Sequence, residues 1–267
     1  MAADQELMTF GGHLEVFRQM LFRILGVAGV LVAVVFCFKD ATWQLLLAPS
    51  EWDFVTYRGI EQLIQRTWDA GFRFEEWHVE LIATDLSSQF MTHISTAVYL
   101  GLLGASPYIL YELFRFVSPA LYDDERRYSV RVLIVVYLLF IVGVLMSYFV
   151  LFPISFRFLG TYSVAARVHS TITLDSYVTT FVSLTLVMGV VFQLPVIAFA
   201  LAKLGFITSA MLAEYRRHAA LVIMTVAAVI TPPDIMTLVL VAIPLYMLYE
   251  VSIRVVAWVG DGRQGTP

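Results

Sequence analysis

The run Val132–Phe156, VLIVVYLLFIVGVLMSYFVLFPISF, holds 25 residues without one Asp, Glu, Lys or Arg. A helix rising 1.5 Å per residue needs roughly 20 apolar residues to cross the ~30 Å hydrocarbon core of a bilayer. This run is long enough, and others like it flank it. Leu86–Tyr111 is 26 uncharged residues and Ser176–Ala202 is 27. Ile24–Phe38 is 15, lengthened at its start by Met20, Leu21, Phe22 and an Arg23 able to snorkel to the interface. Two short runs close the chain, His218–Pro233 at 16 and Ile235–Tyr249 at 15, divided at Pro232-Pro233-Asp234. A double proline followed by an acid cannot continue a helix and would leave a charge in lipid if it tried.

These runs predict an all-α polytopic integral membrane protein with six transmembrane helices, the last two short. It forms a single membrane domain over 1–267, with spans near 20–38, 88–111, 132–156, 176–202, 217–231 and 235–250. Fifteen or 16 residues reach only ~22–24 Å. Either the bilayer thins around the last pair, or those helices extend through Glu214–Arg217 and Glu250–Arg254 and place charges at the interface. The segment 39–87 is a first outer loop rich in tryptophan. Over Tyr57–Trp68, Ile60, Leu63, Ile64 and Thr67 recur at helical spacing between charged residues, so a helix lying on the outer face is expected. The segment 112–131 is the loop on the opposite side.

Composition agrees. Of 267 residues, 60% are apolar and 14% charged, against about 25% charged in soluble domains, and the mean hydropathy is +0.80. A net charge of −4 offers no basic field for nucleic acid, and a single cysteine, Cys37, excludes an internal disulfide framework. The first fifteen residues contain three acids and no base, unlike a secretory leader, so the first run is expected to stay as an anchor. Counting Lys and Arg on alternate sides gives 11 against 6, which places both termini in the cytoplasm.

No HExxH, GxSxG or P-loop string is present, and the five histidines are scattered. No enzyme, cofactor or metal site is therefore expected. Ionisable or polar residues within spans are few: Asp85 and His93 near the outer start of the second span, and Gln193, followed by Pro195, deep in the fourth. They support either interhelical hydrogen bonds or a six-span secondary transporter of a small solute. Asp234 either caps the last helix or meets a polar group of a partner helix lying along Met224–Thr231. The densest polar stretch is Glu112-Leu-Phe-Arg115-Phe116-Val-Ser-Pro119-Ala-Leu-Tyr122-Asp123-Asp124-Glu125-Arg126-Arg127. Its acids suit the first turn of a helix, and they equally suit a receptor for a cation, a carboxylate taking a guanidinium in bidentate fashion. Glu15, on the same face, could supply a second carboxylate.

Several strings together resemble the TatC family, the multispanning core of the twin-arginine protein translocase, from about Gly12 to Trp258. They are His13-Leu14…Arg18…Leu21, Thr84-Asp85, Ser106-Pro107-Tyr108-Ile109-Leu110-Tyr111, Phe116-Val117-Ser118-Pro119-Ala120-Leu121-Tyr122 through Arg127, Phe149–Pro153, Phe192-Gln193-Leu194-Pro195-Val196, Thr231-Pro232-Pro233-Asp234 and Pro244-Leu245-Tyr246…Tyr249-Glu250. The resemblance implies a receptor without a catalytic centre that binds twin-arginine signal peptides on the cytoplasmic face. It implies a place in the cytoplasmic (inner) membrane, single-span partners of the TatA/TatB type, a homo-oligomer within a larger complex, and export of folded proteins driven by the proton-motive force. Its signal-peptide residues would be Glu125, framed by Phe116, Arg126 and Arg127, with Glu15 and Arg18. The family's amino-terminal pattern resembles His-Leu-x-Glu-Leu-Arg, so its acid aligns here with Val16, and Glu15 stands roughly 100° around the helix. Gln193 stands where the family often has Glu, and Leu238 where some members have Gln. The first outer loop is longer than the family's.

Overall fold

The computed structural model describes residues 10–67, 71, 73–74, 76–117, 126–163, 165, 171–231 and 234–264, with the backbone alone at 10–13, 117, 126–131 and 259–264. Helix α1 (Phe10–Cys37) leads through Phe38 into α2 (Lys39–Leu47), a 3₁₀ turn (Ala48–Ser50) and α3 (Val55–Thr67). Strand β1 (Leu81–Ile82) pairs in parallel with β2 (Ile172–Thr173), Leu81 opposite Ile172. Between them run α4 (Ser88–Val117), α5 (Arg126–Met146), a π turn (Ser147–Leu151) and α6 (Phe152–Thr161). After β2 come α7 (Leu174–Val191), α8 (Leu194–Lys203), α9 (Ser209–Glu214), α10 (Arg216–Ile230) and α11 (Ile235–Gln264).

Five of these stretches are long and apolar enough to cross a membrane: Leu14–Cys37, Ser88–Phe116, Val132–Thr161, Leu174–Lys203 and Ile235–Trp258. The sixth expected crossing is α10, a 15-residue helix about 22 Å long. Shortness holds for α10 but not for α11, which runs for 30 residues and carries Glu250 and Arg254 inside it. The extension is tolerated because Arg216 holds Glu250 with two bonds, Nε to Oε1 at 2.8 Å and Nη2 to Oε2 at 3.2 Å. Likewise α4 continues past Tyr111 to Val117, and α5 begins at Arg126, so most of the segment 112–131 is helix.

Two spans are broken where proline demands it. Pro153 has no N–H to donate and its ring would strike the carbonyl four residues back, that of Phe149. The chain widens into the π turn there, and Thr56 Oγ1 of α3 donates to the freed Phe149 carbonyl. Tyr57, beside it, is 2% exposed and donates to the carbonyls of Pro153 at 2.8 Å and Pro49 at 3.1 Å. Tyr148 and Tyr177 reach the carbonyls of Leu45 and Leu46 in α2 at 2.8 and 2.7 Å. The segment from α2 to α3 is thus pinned onto the bundle by tyrosines, and Arg157 lies over the rings of Phe74 and Tyr57 at 3.6 and 5.5 Å. Pro195 similarly separates α7 from α8, and just beyond α8 Gly205, with a φ of 84°, lets Phe206 N–H reach back to Leu201 O.

α1 packs along α4, α4 and α5 along α7, and α11 against α8 and α10. The core gathers Leu151, Phe152, Phe156, Tyr177, Phe181, Leu184 and Met188 with Ala227, Val241 and Leu245.

Candidate functional site

The beginning of α1 and the end of α4 meet at one end of the bundle, where α5 also begins. Phe17 and Phe116 stack at a tilt there, ring centroids 5.9 Å apart, and Phe116 stays 37% exposed. Glu15, two residues before Phe17 and so about 200° around the helix from it, is exposed and receives two hydrogen bonds from its own helix, from Arg18 Nη2 at 2.8 Å and Gln19 Nε2 at 3.1 Å. Val16 is half-buried. Arg126 and Arg127 open α5. Glu125 lies outside the described residues, as do Pro232 and Pro233.

One turn deeper than Phe116 lies a carboxylate that the count of uncharged residues leaves in the loop. Glu112 is 4% exposed and accepts from Tyr108 OH at 3.0 Å, and Arg23 Nη1 of α1 stands 3.6 Å from the same oxygen. A signal for it exists in the sequence. Glu112 follows the uncharged run of α4 directly, Arg23 precedes that of α1, and antiparallel helices bring two such ends to one depth. Tyr108 and Glu112, four residues apart, share a helix face.

The polar residues expected within the spans lie apart. Gln193 Nε2 donates to Val136 O of α5 at 3.1 Å, an interhelical bond. His93 stacks on Phe36 with centroids 4.4 Å apart and an 11° interplanar angle, and Trp43 lies beside it. Asp85 is exposed, its backbone carbonyl accepting from Ser88 N–H. Asp234 caps α11, Oδ1 accepting from Thr237 N–H at 2.7 Å, while its Oδ2 is buried without a partner among the described residues, as is Thr237 Oγ1. Thr231 is buried and bonds Ala227 O at 2.9 Å, Met224 is 43% exposed, and Leu238 is half-buried. Among the described residues no group of three or more His, Cys, Asp or Glu is placed to hold a metal ion.

Residues 12–244 match the profile of the family described as Sec-independent protein translocase protein (TatC). The chain belongs to the TatC family. The TatC protein of Blattabacterium sp. subsp. Periplaneta americana is 32% identical over 268 residues, covering 98% of this chain and all of that protein. TatC of Escherichia coli is 31% identical over 261 residues, covering 97% and 91%. A crystal structure of the twin-arginine translocase receptor TatC superposes with a TM-score of 0.73 at 28% identity, over 93% of this chain and 99% of that one. A TatC-family membrane protein of this length is a component of the twin-arginine protein translocase, and the long apolar helices agree with that setting.

Proposed function

We propose that this TatC-family chain is the receptor subunit of its translocase. Its cytoplasmic face takes the paired arginines of a signal peptide, with Glu125 as the principal carboxylate. Phe116, Arg126 and Arg127 frame that carboxylate, and Glu15 and Arg18 stand at the same mouth. With TatA/TatB-type single-span partners it supports proton-motive-force-driven export of folded proteins across the cytoplasmic membrane, both termini remaining inside. The observation that supports this most is the seam between α1 and α4. It brings Phe17 and Phe116 together at an exposed edge where α4 ends, with Glu15 and Arg18 in the same first turns of α1. A guanidinium there meets carboxylates for bidentate bonding and rings for stacking.

The transporter reading finds less support. Gln193 is committed to Val136 O, His93 to ring stacking, and Asp85 is a surface residue, so no shared solute site gathers them. For the partner helix, the buried unpartnered Oδ2 of Asp234 supports a polar contact at the outer end of α10 and α11, with Met224 and Thr231 along the same short helix.

The test is direct binding of a labelled signal peptide to the detergent-solubilised chain. The paired-arginine peptide is expected to bind at least tenfold more tightly than its paired-lysine counterpart. Glu125→Gln and Glu125→Lys should remove that margin while helical content persists. Equal affinity for both peptides refutes the receptor reading, and unchanged affinity in both variants refutes the place given to Glu125.

A further inference from the structure

Resting on the receptor reading above, we infer that Phe17 is a specificity-determining residue: its ring, with that of Phe116, takes the face of one signal-peptide guanidinium and so favours arginine over lysine. Met20 is buried on α1, whose main packing partner is α4. Phe17 and Arg23 stand three residues to either side of Met20, about 60° around the helix in opposite directions. The seam therefore has two flanks. One carries Arg23 beside Glu112 and Tyr108, and the other carries Phe17 beside Phe116. Phe17 is 43% exposed and the two rings are tilted at 58°, so part of each ring face stays open. Leu14 and Leu21, three before and four after Phe17, and Leu113, three before Phe116, are exposed and continue the same apolar flank.

Lipid contact does not account for these rings. Arg23 and Glu112 mark where charge begins on this side of the spans, and Phe17 and Phe116 stand six and four residues beyond them, about 6–9 Å further out. The aromatic residues that serve headgroups are Trp and Tyr, whose polar edge suits that layer, and phenylalanine has none. Large exposed rings in such a place mark a binding surface. The chemistry selects a guanidinium. It is planar and weakly hydrated and stacks on an aromatic face, whereas an ammonium is a compact, strongly hydrated point charge. A carboxylate accepts from either cation, so the carboxylates of this mouth supply charge and the rings supply the choice between cations. Val16 adds no charge, and Glu15 stands about 200° around α1 from Phe17, so the cation on the ring is not the one Glu15 holds.

The full chain in detergent is titrated with a fluorescent paired-arginine peptide and with its paired-lysine counterpart. Phe17→Leu, which keeps an apolar side chain against Phe116, should weaken the arginine peptide about two- to fivefold and leave the lysine peptide unchanged. Phe17→Trp should restore or widen the margin, since indole is the better platform for a cation. This share of the margin needs a peptide already anchored by carboxylates, so it disappears in Glu125→Gln as well. In the NMR spectrum of a peptide with isotopically labelled arginines, the δ-methylene protons of one arginine should move upfield on binding, through the ring currents. They should lose most of that shift in Phe17→Leu and regain it in Phe17→Trp. Equal weakening of both peptides in Phe17→Leu marks a packing role and overturns the inference, as does an absent upfield shift. Equal affinity of the unsubstituted chain for the two peptides overturns the receptor reading itself, whereas a margin that survives Phe17→Leu in full overturns the place of Phe17 alone.

Discussion

Replacing Gly101 by Ala should force α1 away from α4. A Cβ at Gly101 would lie 2.5 Å from Val32 Cγ2, 2.7 Å from Val32 Cα and 2.8 Å from Val32 N. Two of those atoms are backbone, so no rotamer change relieves the clash. Carbon atoms rest at about 3.5–4.0 Å, so the helices must part by about 0.8 Å at that point. Overpacking of this kind costs about 1–3 kcal/mol. Alanine also gains about 1 kcal/mol over glycine in helix propensity, which partly masks the loss. Gly104, one turn on, supplies the control, since its Cβ would meet only Leu31 Cδ1 at 3.9 Å, an ordinary contact. Gly104→Ala keeps the propensity gain without the clash, so the two variants should differ by about 1–3 kcal/mol in equilibrium unfolding in mixed micelles. The opening at Gly101 also separates Phe17 from Phe116, so binding of a paired-arginine peptide should weaken several-fold in Gly101→Ala alone. Identical shifts in stability and binding for the two variants would refute the idea that this close approach sets the seam.

Three further outcomes are expected. Tyr57→Phe strips two buried carbonyls of their donor and should destabilise the cap formed by α2 and α3 by about 1–3 kcal/mol, seen as faster proteolysis within 39–87. Burial raises the Tyr57 hydroxyl well above its usual range, with Arg157 opposing. A folded-state pKa above the unfolded one gives stability that is complete below pH ~10 and lost above it. An alkaline loosening of the cap should therefore vanish in Tyr57→Phe, as hydrogen exchange would show. Arg216→Met or Glu250→Gln breaks the bidentate tie between α10 and α11 and should speed amide exchange in α10, whereas exchanging the two charges should restore protection. Restored protection is the decisive measurement, because a purely local loss of packing would not recover.

The long spans were legible because a bilayer rewards uncharged length, and Val132–Phe156 falls wholly inside one. Helix ends were not, for a physical reason. A charge stops an uncharged count but not a helix when a partner neutralises it, as Arg23 does for Glu112 and Arg216 for Glu250. The cap by Asp234 could be read from Pro-Pro-Asp, since capping is local. The docking of α3 could not. It depends on a carbonyl at Phe149, released by a proline more than ninety residues away in sequence. At the site, alternation of the spans already brought Glu15 and Phe116 to one face. The depth of Glu112 needed the packing of α1 on α4.

That packing sorts the carboxylates of this face on the proposed reading. Glu112 is the buried member of its pair, Arg23 being 42% exposed, and a buried carboxylate stripped of its partners is left uncompensated in low dielectric. Glu112, 4% exposed and bonded by Tyr108 beside Arg23, is therefore not available to an incoming arginine, and it serves to join α1 to α4. Glu15 is different. Its pair with Arg18 is exposed on both sides, 46% and 65%, and such pairs are worth ~0–1 kcal/mol. A peptide guanidinium can displace Arg18 at small cost, and Arg18 can swing into water. So the carboxylate one position from the family's usual acid remains usable, although Val16 occupies that position. Arg18→Ala should then strengthen binding of a paired-arginine peptide slightly, and Glu15→Gln should weaken it, with Glu112→Gln affecting stability first. Peptide titration beside a denaturation curve separates the three, and weaker binding in Arg18→Ala would overturn this ordering.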